Sequence, residues 1–280
     1  MKRLRISHTT GYRYESDVSA SYNEARMLPV SDDRQFVLVS NIEVEPVTSS
    51  HHYTDYWGTS VHAFDVLAPH RHLTMTATSL VEVRDTVEVE HPTDWDELAV
   101  MIARSSSCTE QLRQTALTSP PAAVVEQARD AARGKNPGEA ALAVTRVLSE
   151  QITYESGVTG VRTTAAQAWQ ARTGVCQDIA HIVVGALRSV SIPARYVSGY
   201  LHPHKDPVVG ETVAGESHAW VEWFCGGWRG YDPTNQIDIG ERHVRVGHGR
   251  DYSDVPPLRG VYAGVAGSEL FVSVSITRES

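Results

Sequence analysis

Apolar and polar positions alternate along much of the first third of the chain. The alternation occupies four segments, at residues 4–8, 36–45, 60–66 and 73–83. Successive side chains of a β-strand point to opposite faces, so a period of two predicts a strand in each segment. Residues that favour turns punctuate the pattern at Gly11, Pro29, Pro46, Gly58 and Pro69. Several short strands at this spacing predict an antiparallel β-sandwich domain over residues 1–92.

Helix signals replace the alternation after residue 92. Four predicted helix starts carry a capping residue or a proline pair, at Thr93 with Asp96, Pro120-Pro121, Asn136 with Glu139, and Thr164 with Gln167. Thr and Asn side chains accept bonds from the free N–H groups of a first turn, so they mark helix starts. The polar segment 104–109 is interpreted as a link without helix. We predict a helical connection over 93–121 and a core domain over 122–240.

The second half of this core combines one long helix with several strands. The helix begins at Cys176, ends before Pro193 and carries a single apolar stripe at Ile179, Ile182, Val183, Ala186, Leu187 and Val190. Strands follow at 195–200, 218–224 and 228–231, and Gly226-Gly227 predicts a hairpin between the last two. Residues 241–280 are predicted to be mostly loop, with one final strand at 269–276. The fold class is therefore α+β.

The composition narrows the classes of function. The 280 residues are 41% hydrophobic and 21% charged, which is typical of a globular protein, and the net charge of −9 argues against a nucleic-acid partner. The basic start 1–6 precedes no apolar segment, so we expect no signal peptide, no membrane partner and a cytoplasmic location. Three irregularly spaced cysteines argue against a disulfide framework. No Cys/His spacing suits zinc, so no cofactor is expected.

Cys176, in the segment Gly174-Val175-Cys176-Gln177-Asp178, is the candidate nucleophile. A lone cysteine is most often a small buried residue, but this one lies at a predicted helix start. The positive end of the helix dipole favours the thiolate there. The backbone N–H of the same residue is free to bind a developing oxyanion. The setting therefore predicts a reactive thiol.

His218 and Asp232 are the candidate base and the acid that orients it. His218 lies in the strand that begins the hairpin, and a strand holds an imidazole more rigidly than a loop does. Counting from the turn places Asp232 opposite His218 or close to it, where its carboxylate can accept the second ring N–H. Tyr154 has two interpretations, as a hydroxyl that supports the oxyanion or as an aromatic residue packed at a helix end.

These residues resemble the transglutaminase-like superfamily, which carries a Cys–His–Asp triad on a papain-related core. More narrowly, the chain is similar to bacterial members with an additional N-terminal β domain. The segments that carry the resemblance are 6–14, 173–182, 192–200, 217–222, 232–235 and 249–257. The resemblance implies Cys176 as nucleophile, His218 as base and Asp232 as orienting residue, on a core of helices packed on an antiparallel sheet. The chain lacks an acidic loop like the calcium-binding loop of animal transglutaminases, so calcium is not implied.

Such a triad predicts acyl transfer on a peptide or amide carbonyl through a thioester intermediate. With water as acceptor the protein is a cysteine peptidase or amidase, and with a lysine-like amine it is a cross-linking or ligating enzyme. Hydrolysis is favoured because water is always present, whereas its exclusion requires a closed apolar tunnel. A non-catalytic binding module, in which the sandwich recruits a partner, stays an alternative. We expect a peptide or protein substrate and leave open whether the chain forms a homodimer.

Overall fold

The computed structural model describes residues 1–46, 48–85 and 93–280. The strands are β1 (Lys2–Val18), β2 (Ala20–Ala25), β3 (Gln35–Glu45), β4 (Ser50–Thr54), β5 (Ser60–Val66), β6 (His70–Val83), β7 (Thr153–Tyr154), β8 (Thr173–Gly174), β9 (Ala194–Leu201), β10 (Thr212–Phe224), β11 (Trp228–Asp232), β12 (Ile237–Asp238), β13 (His243–Gly249), β14 (Leu258–Ala263) and β15 (Ser268–Arg278). The helices are α1 (Trp95–Ala103), α2 (Ser106–Glu110), α3 (Ala122–Ala132), α4 (Pro137–Ser149), α5 (Ala165–Ala171) and α6 (Cys176–Ser189), with a 3-10 turn at Tyr252–Asp254. The protein has the predicted α+β class.

Two antiparallel sheets form the predicted N-terminal sandwich. In one of them β1 lies between β6 and β15, and β3 pairs with the far side of β6. The other has the order β14-β2-β5-β4. Apolar side chains from both sheets pack in a shared core, which includes Tyr14, Val18, Met27, Phe64, Leu73 and Met75. Burial of this apolar area is what holds the two sheets together.

The strands of the sandwich differ from the prediction in two respects. β1 continues through Gly11, which was predicted as a turn; a Cβ built there would lie 1.8 Å from the Leu73 carbonyl oxygen, so the close strand pairing requires glycine. β2 and β4 were not predicted. β2 buries the polar residues Ser21 and Asn23, and all of β4 is exposed, so neither strand carries an apolar alternation.

One sheet joins the sandwich to the core. β15 pairs with β1 on one side and with the first part of β10 on the other, from Thr212 opposite Thr277 to Gly215 opposite Val274. The second part of β10 then pairs with β9 and with β11, and β13 pairs with β9. Within the described residues this sheet has nine strands. β10, which includes His218, is therefore held by neighbouring strands on both sides.

α6 is the central helix of the core. It packs against β9 and β10 and also against α3, α4 and α5. Because neighbours surround it, every residue from Gln177 to Arg188 is buried, and the prediction of a single buried stripe was too narrow. Arg188 is accommodated by hydrogen bonds to backbone oxygens of Gln111, Ala194 and Arg250. A buried charge of this kind requires such partners.

The predicted helix starts are correct at α4 and α5, where Asn136 with Glu139 and Thr164 with Gln167 form reciprocal caps. At α1 the capping pair is Asp94 with Glu97, one residue after the predicted pair. The segment 104–109, predicted as a link, contains most of α2. This short helix was not predicted because the segment is polar. Ser105 caps the helix, and Cys108 is its buried residue.

The last forty residues hold three strands rather than one. β13 pairs with β9, β14 with β2, and β15 with both β1 and β10. Glycine residues interrupt the alternation in β13 and β14, at Gly247 and Gly260, so the sequence pattern did not reveal them. The predicted domain limits at 92, 121 and 240 stay predictions, and residue 92 lies outside the described residues.

Candidate active site

Cys176 is the first residue of α6 and is partly buried. The helix start is held by Asp178, whose Oδ2 accepts hydrogen bonds from the Val175 N–H at 2.8 Å and from the Thr159 hydroxyl at 2.6 Å. The residue before the cap must be glycine, because a Cβ on Gly174 would lie 2.8 Å from the Asp178 side chain. The Cys176 sulfur therefore lies on a rigid helix start. The backbone N–H of Cys176 has no partner within the helix.

His218 and Asp232 are in direct contact. The hairpin register pairs Val221 with Tyr231, so the next position places Asp232 diagonally across from His218. His218 Nε2 lies 2.7 Å from Asp232 Oδ2. Since Nε2 is taken by the carboxylate, Nδ1 is the ring nitrogen that remains for Cys176. The Cys176 side chain is close enough to His218 to influence its pKa, so all three predicted site residues lie near one another.

Electrostatics favour a protonated His218. Burial alone would lower its pKa, but the hydrogen bonds and charges of Asp232 and Cys176 outweigh burial and raise the pKa to about 10. The imidazolium is thus the form expected at neutral pH. A positive ring beside the sulfur is the partner that a thiolate needs.

The Asp232 carboxylate accepts an unusual number of hydrogen bonds for a fully buried group. Its Oδ1 accepts from the backbone N–H groups of Thr234 and Asn235, at 3.0 and 3.1 Å. Its Oδ2 accepts from His218, from the Asn235 side chain at 2.8 Å and from His243 Nε2 at 3.4 Å. Burial opposes ionisation, but these donors hold the pKa of Asp232 well below its usual value.

Sequence reasoning missed Asn235 and His243 as members of this group. Asn235 had a local signal, because an Asp followed by a turn often accepts backbone and side-chain bonds from residues two and three positions on. His243 had no local signal. It lies at the start of β13, which pairs with β9, and contacts Asp232 from there.

Tyr154 lies beside the nucleophile but is not packed at a helix end. It belongs to β7, is 45% exposed, and its hydroxyl donates to Glu216 Oε2 at 3.4 Å. Burial raises the pKa of Tyr154, and the charges of Glu216 and Cys176 raise it further. The hydroxyl is therefore protonated and close to both groups. Its role toward an oxyanion stays a prediction.

A cavity of about 390 Å³ lies on the sheet face that points away from α6. Trp220, Glu222 and His243 line it from the sheet, and residues 32–35 close it from the sandwich side. Across the described ranges no group of three or more His, Cys, Asp or Glu side chains is arranged to hold a metal ion. In the same part of the chain, no helix combines the length and apolarity that crossing a bilayer requires.

Comparison with known proteins gives consistent matches. Residues 4–82 match the bacterial transglutaminase-like N-terminal region, and residues 125–233 match the transglutaminase-like superfamily. An uncharacterized protein of Mycobacterium leprae is 46% identical over 278 residues and 99% of both chains. An uncharacterized protein of Mycobacterium tuberculosis is 32% identical over 98% of this chain and 92% of its own. A crystal structure from Cytophaga hutchinsonii, described as a candidate cysteine protease, has the same fold, with a TM-score of 0.80 at 21% identity, covering 100% of this chain and 91% of that one.

Proposed function

This chain belongs to the bacterial transglutaminase-like family, and on that premise we propose that it transfers acyl groups from peptide or amide bonds through Cys176, His218 and Asp232. The observation that carries the proposal is the contact between a buried carboxylate and a histidine whose remaining nitrogen is free for the thiol. A sulfur at a helix start beside an imidazolium is the arrangement that nucleophilic thiol catalysis requires.

In the proposed acylation step, the Cys176 sulfur bonds to the substrate carbonyl carbon, and the carbonyl π electrons move to the oxygen. The N–H of Cys176 donates to that oxyanion. As the intermediate collapses, the carbon–nitrogen bond breaks and His218 Nδ1 gives its proton to the leaving amine. Asp232 stays ionised and keeps the ring oriented throughout.

In the second step, the neutral His218 removes a proton from an acceptor that attacks the thioester, and the Cys176 thiolate leaves. We propose water as the acceptor, which makes the protein a cysteine peptidase or amidase. The surroundings of the nucleophile support this choice, because Tyr154 and residues 155–158 beside it are exposed. Water therefore has direct access to the thioester.

Amine transfer is a second candidate, favoured by one observation. Glu216 is exposed and accepts a hydrogen bond from Tyr154, the residue whose pKa Cys176 also influences. A carboxylate at this point would attract a lysine-like amine to the thioester. The neutral variant Glu216→Gln should then lower amine incorporation more than it lowers hydrolysis.

The test is to incubate the protein with a glutamine-containing peptide library, with and without a labelled primary amine, and to follow products by mass spectrometry. Release of ammonia or cleaved peptide without label indicates hydrolysis, and incorporated label indicates transfer. Cys176→Ala should abolish the thioester adduct, whereas Cys225→Ala, which removes a thiol beside the hairpin turn, should not. An active Cys176→Ala variant would refute the assignment of the nucleophile.

The cytoplasmic location stays a prediction from the sequence, and the sequence leaves open whether the chain forms a homodimer. Fractionation of the producing cells tests the first, and sedimentation of the purified protein tests the second.

A further inference from the structure

A second histidine contacts the same carboxylate oxygen as His218. His243 is buried at the start of β13, and its Nε2 lies 3.4 Å from Asp232 Oδ2. The proposed catalytic mechanism makes no use of this residue. Its ring centroid lies 6.4 Å from that of His218, so the two imidazoles flank one carboxylate without stacking face to face.

The hydrogen bonds of His243 determine which ring nitrogen carries its proton. The Gly240 N–H donates to His243 Nδ1 at 3.3 Å, so Nδ1 acts as an acceptor and has no hydrogen. In a neutral imidazole the hydrogen is then on Nε2. His243 is therefore a donor to Asp232, and Oδ2 shares its charge among three donors: His218, His243 and Asn235.

The surroundings keep His243 neutral. Burial lowers its pKa most, and the positive charges of His218 and Arg242 lower it further, while Asp232 acts in the opposite direction. The charged or titratable residues across the cavity that His243 lines are Asp32, Asp33, Arg34, Arg84, Arg195, Glu222, Arg245 and His248. Two of these arginines are paired with carboxylates, Arg195 with Glu222 and Arg245 with Asp32.

We infer that His243 is a positioning residue for the triad: its N–H holds the Asp232 carboxylate and draws part of the negative charge away from His218. The catalytic meaning of this inference rests on the proposed function, but the inference itself concerns a contact that exists without substrate. A carboxylate with fewer donors binds an imidazolium more strongly, and a more strongly bound imidazolium releases its proton less readily to a leaving amine.

The test compares two substitutions at one position. His243→Leu removes the donor, and the adjoining cavity leaves room for the change. His243→Gln keeps an N–H close to the position of Nε2. His248→Leu is the matched control, because His248 lies on the same strand and contacts Arg195 rather than Asp232.

The main readout is the titration of His218, followed by NMR of its ring nitrogens and by the pH dependence of Cys176 alkylation with iodoacetamide. We expect His243→Leu to raise the pKa of His218 by about half a unit to one unit. The Gln variant and the His248→Leu control should titrate like the original protein. An unchanged His218 pKa in His243→Leu would overturn the inference. So would a His218 pKa that rises as far in His243→Gln as in His243→Leu.

A second measurement needs no variant. The ring nitrogen shifts of His243 in the unmodified protein at neutral pH should show hydrogen on Nε2 and none on Nδ1. A protonated Nδ1 would overturn the inference even if the Leu variant failed to fold. Both readouts are independent of turnover, so a protein that cleaves no peptide yet shows the predicted titration would refute the proposed function and leave this inference standing.

Discussion

The sandwich core and the catalytic hairpin bury opposite kinds of side chain. Between the sandwich sheets lie apolar groups such as Phe64, Leu73 and Met75, whose burial stabilises the fold without directional bonds. At the end of the hairpin lies Asp232, which is equally buried but carries a charge and is held by five hydrogen bonds. The first region tolerates changes of shape at a cost in stability, whereas the second depends on donors at fixed positions.

The largest expected effect comes from Asp232→Asn, which keeps the shape and removes the charge. The hydrogen bond to Asp232 is the strongest influence that raises the pKa of His218, and the charge of Asp232 adds to it. Without them His218 should lose its proton near neutral pH, and an amide NH2 that donates to Nε2 favours the wrong ring tautomer. We expect kcat/KM to fall by about 10⁴, by analogy with other triads. Steady-state kinetics with a cleaved peptide measures this loss.

Folding of the Asp232→Asn variant is the control for that experiment. Circular dichroism should show the native fold, because the backbone donors of Thr234 and Asn235 can still bond the amide oxygen. If Asp232→Asn is folded and its turnover is undiminished, the buried carboxylate has only a structural role. The hairpin would then not differ in function from the sandwich core.

Phe64→Ala tests the opposite region. Phe64 is 2% exposed in the sandwich core, and its truncation should lower the free energy of unfolding by about 3–5 kcal/mol. Denaturation by urea measures this change. In conditions where the variant is still folded, the alkylation rate of Cys176 should match that of the original protein. Slower alkylation of Cys176 in the folded Phe64→Ala variant would mean that the sandwich directly influences the reactivity of Cys176.

A smaller effect is expected in the pH dependence of stability. The folded pKa of His218 is raised to about 10, above its unfolded value of 6.5. Its contribution is therefore fully present below pH 6.5 and is lost as the pH rises toward 10. We expect stability to decline over this range, which urea unfolding at several pH values measures. Asp232→Asn should flatten that decline, and an equally steep decline in the variant would contradict the assignment.

The comparison also explains which parts of the structure were predictable. Elements with local signals were predicted, including the capped helices α4 and α5 and the β10–β11 hairpin. Strands without an apolar alternation, such as β2 and β13, were not predicted, because cross-strand partners far along the chain determine their pairing.

The same distinction applies within the site. Cys176 could be proposed from its helix start, and Asp232 from its distance to the hairpin turn. His243 is eleven positions after Asp232, and the two side chains meet only in the folded protein, where β13 pairs with β9. The contact of His243 with Asp232 is therefore a tertiary contact that no local pattern contains.

The most direct test of the account is the rate of iodoacetamide alkylation at each cysteine at pH 6, with the modified residue identified by mass spectrometry. The proposed role of Cys176 as the nucleophile beside His218 predicts its fast modification, while buried Cys108 and partly buried Cys225 react slowly. Repeating the measurement with Asp232→Asn should slow Cys176 alone. A Cys176 that reacts at pH 6 no faster than the other two cysteines would contradict the central claim.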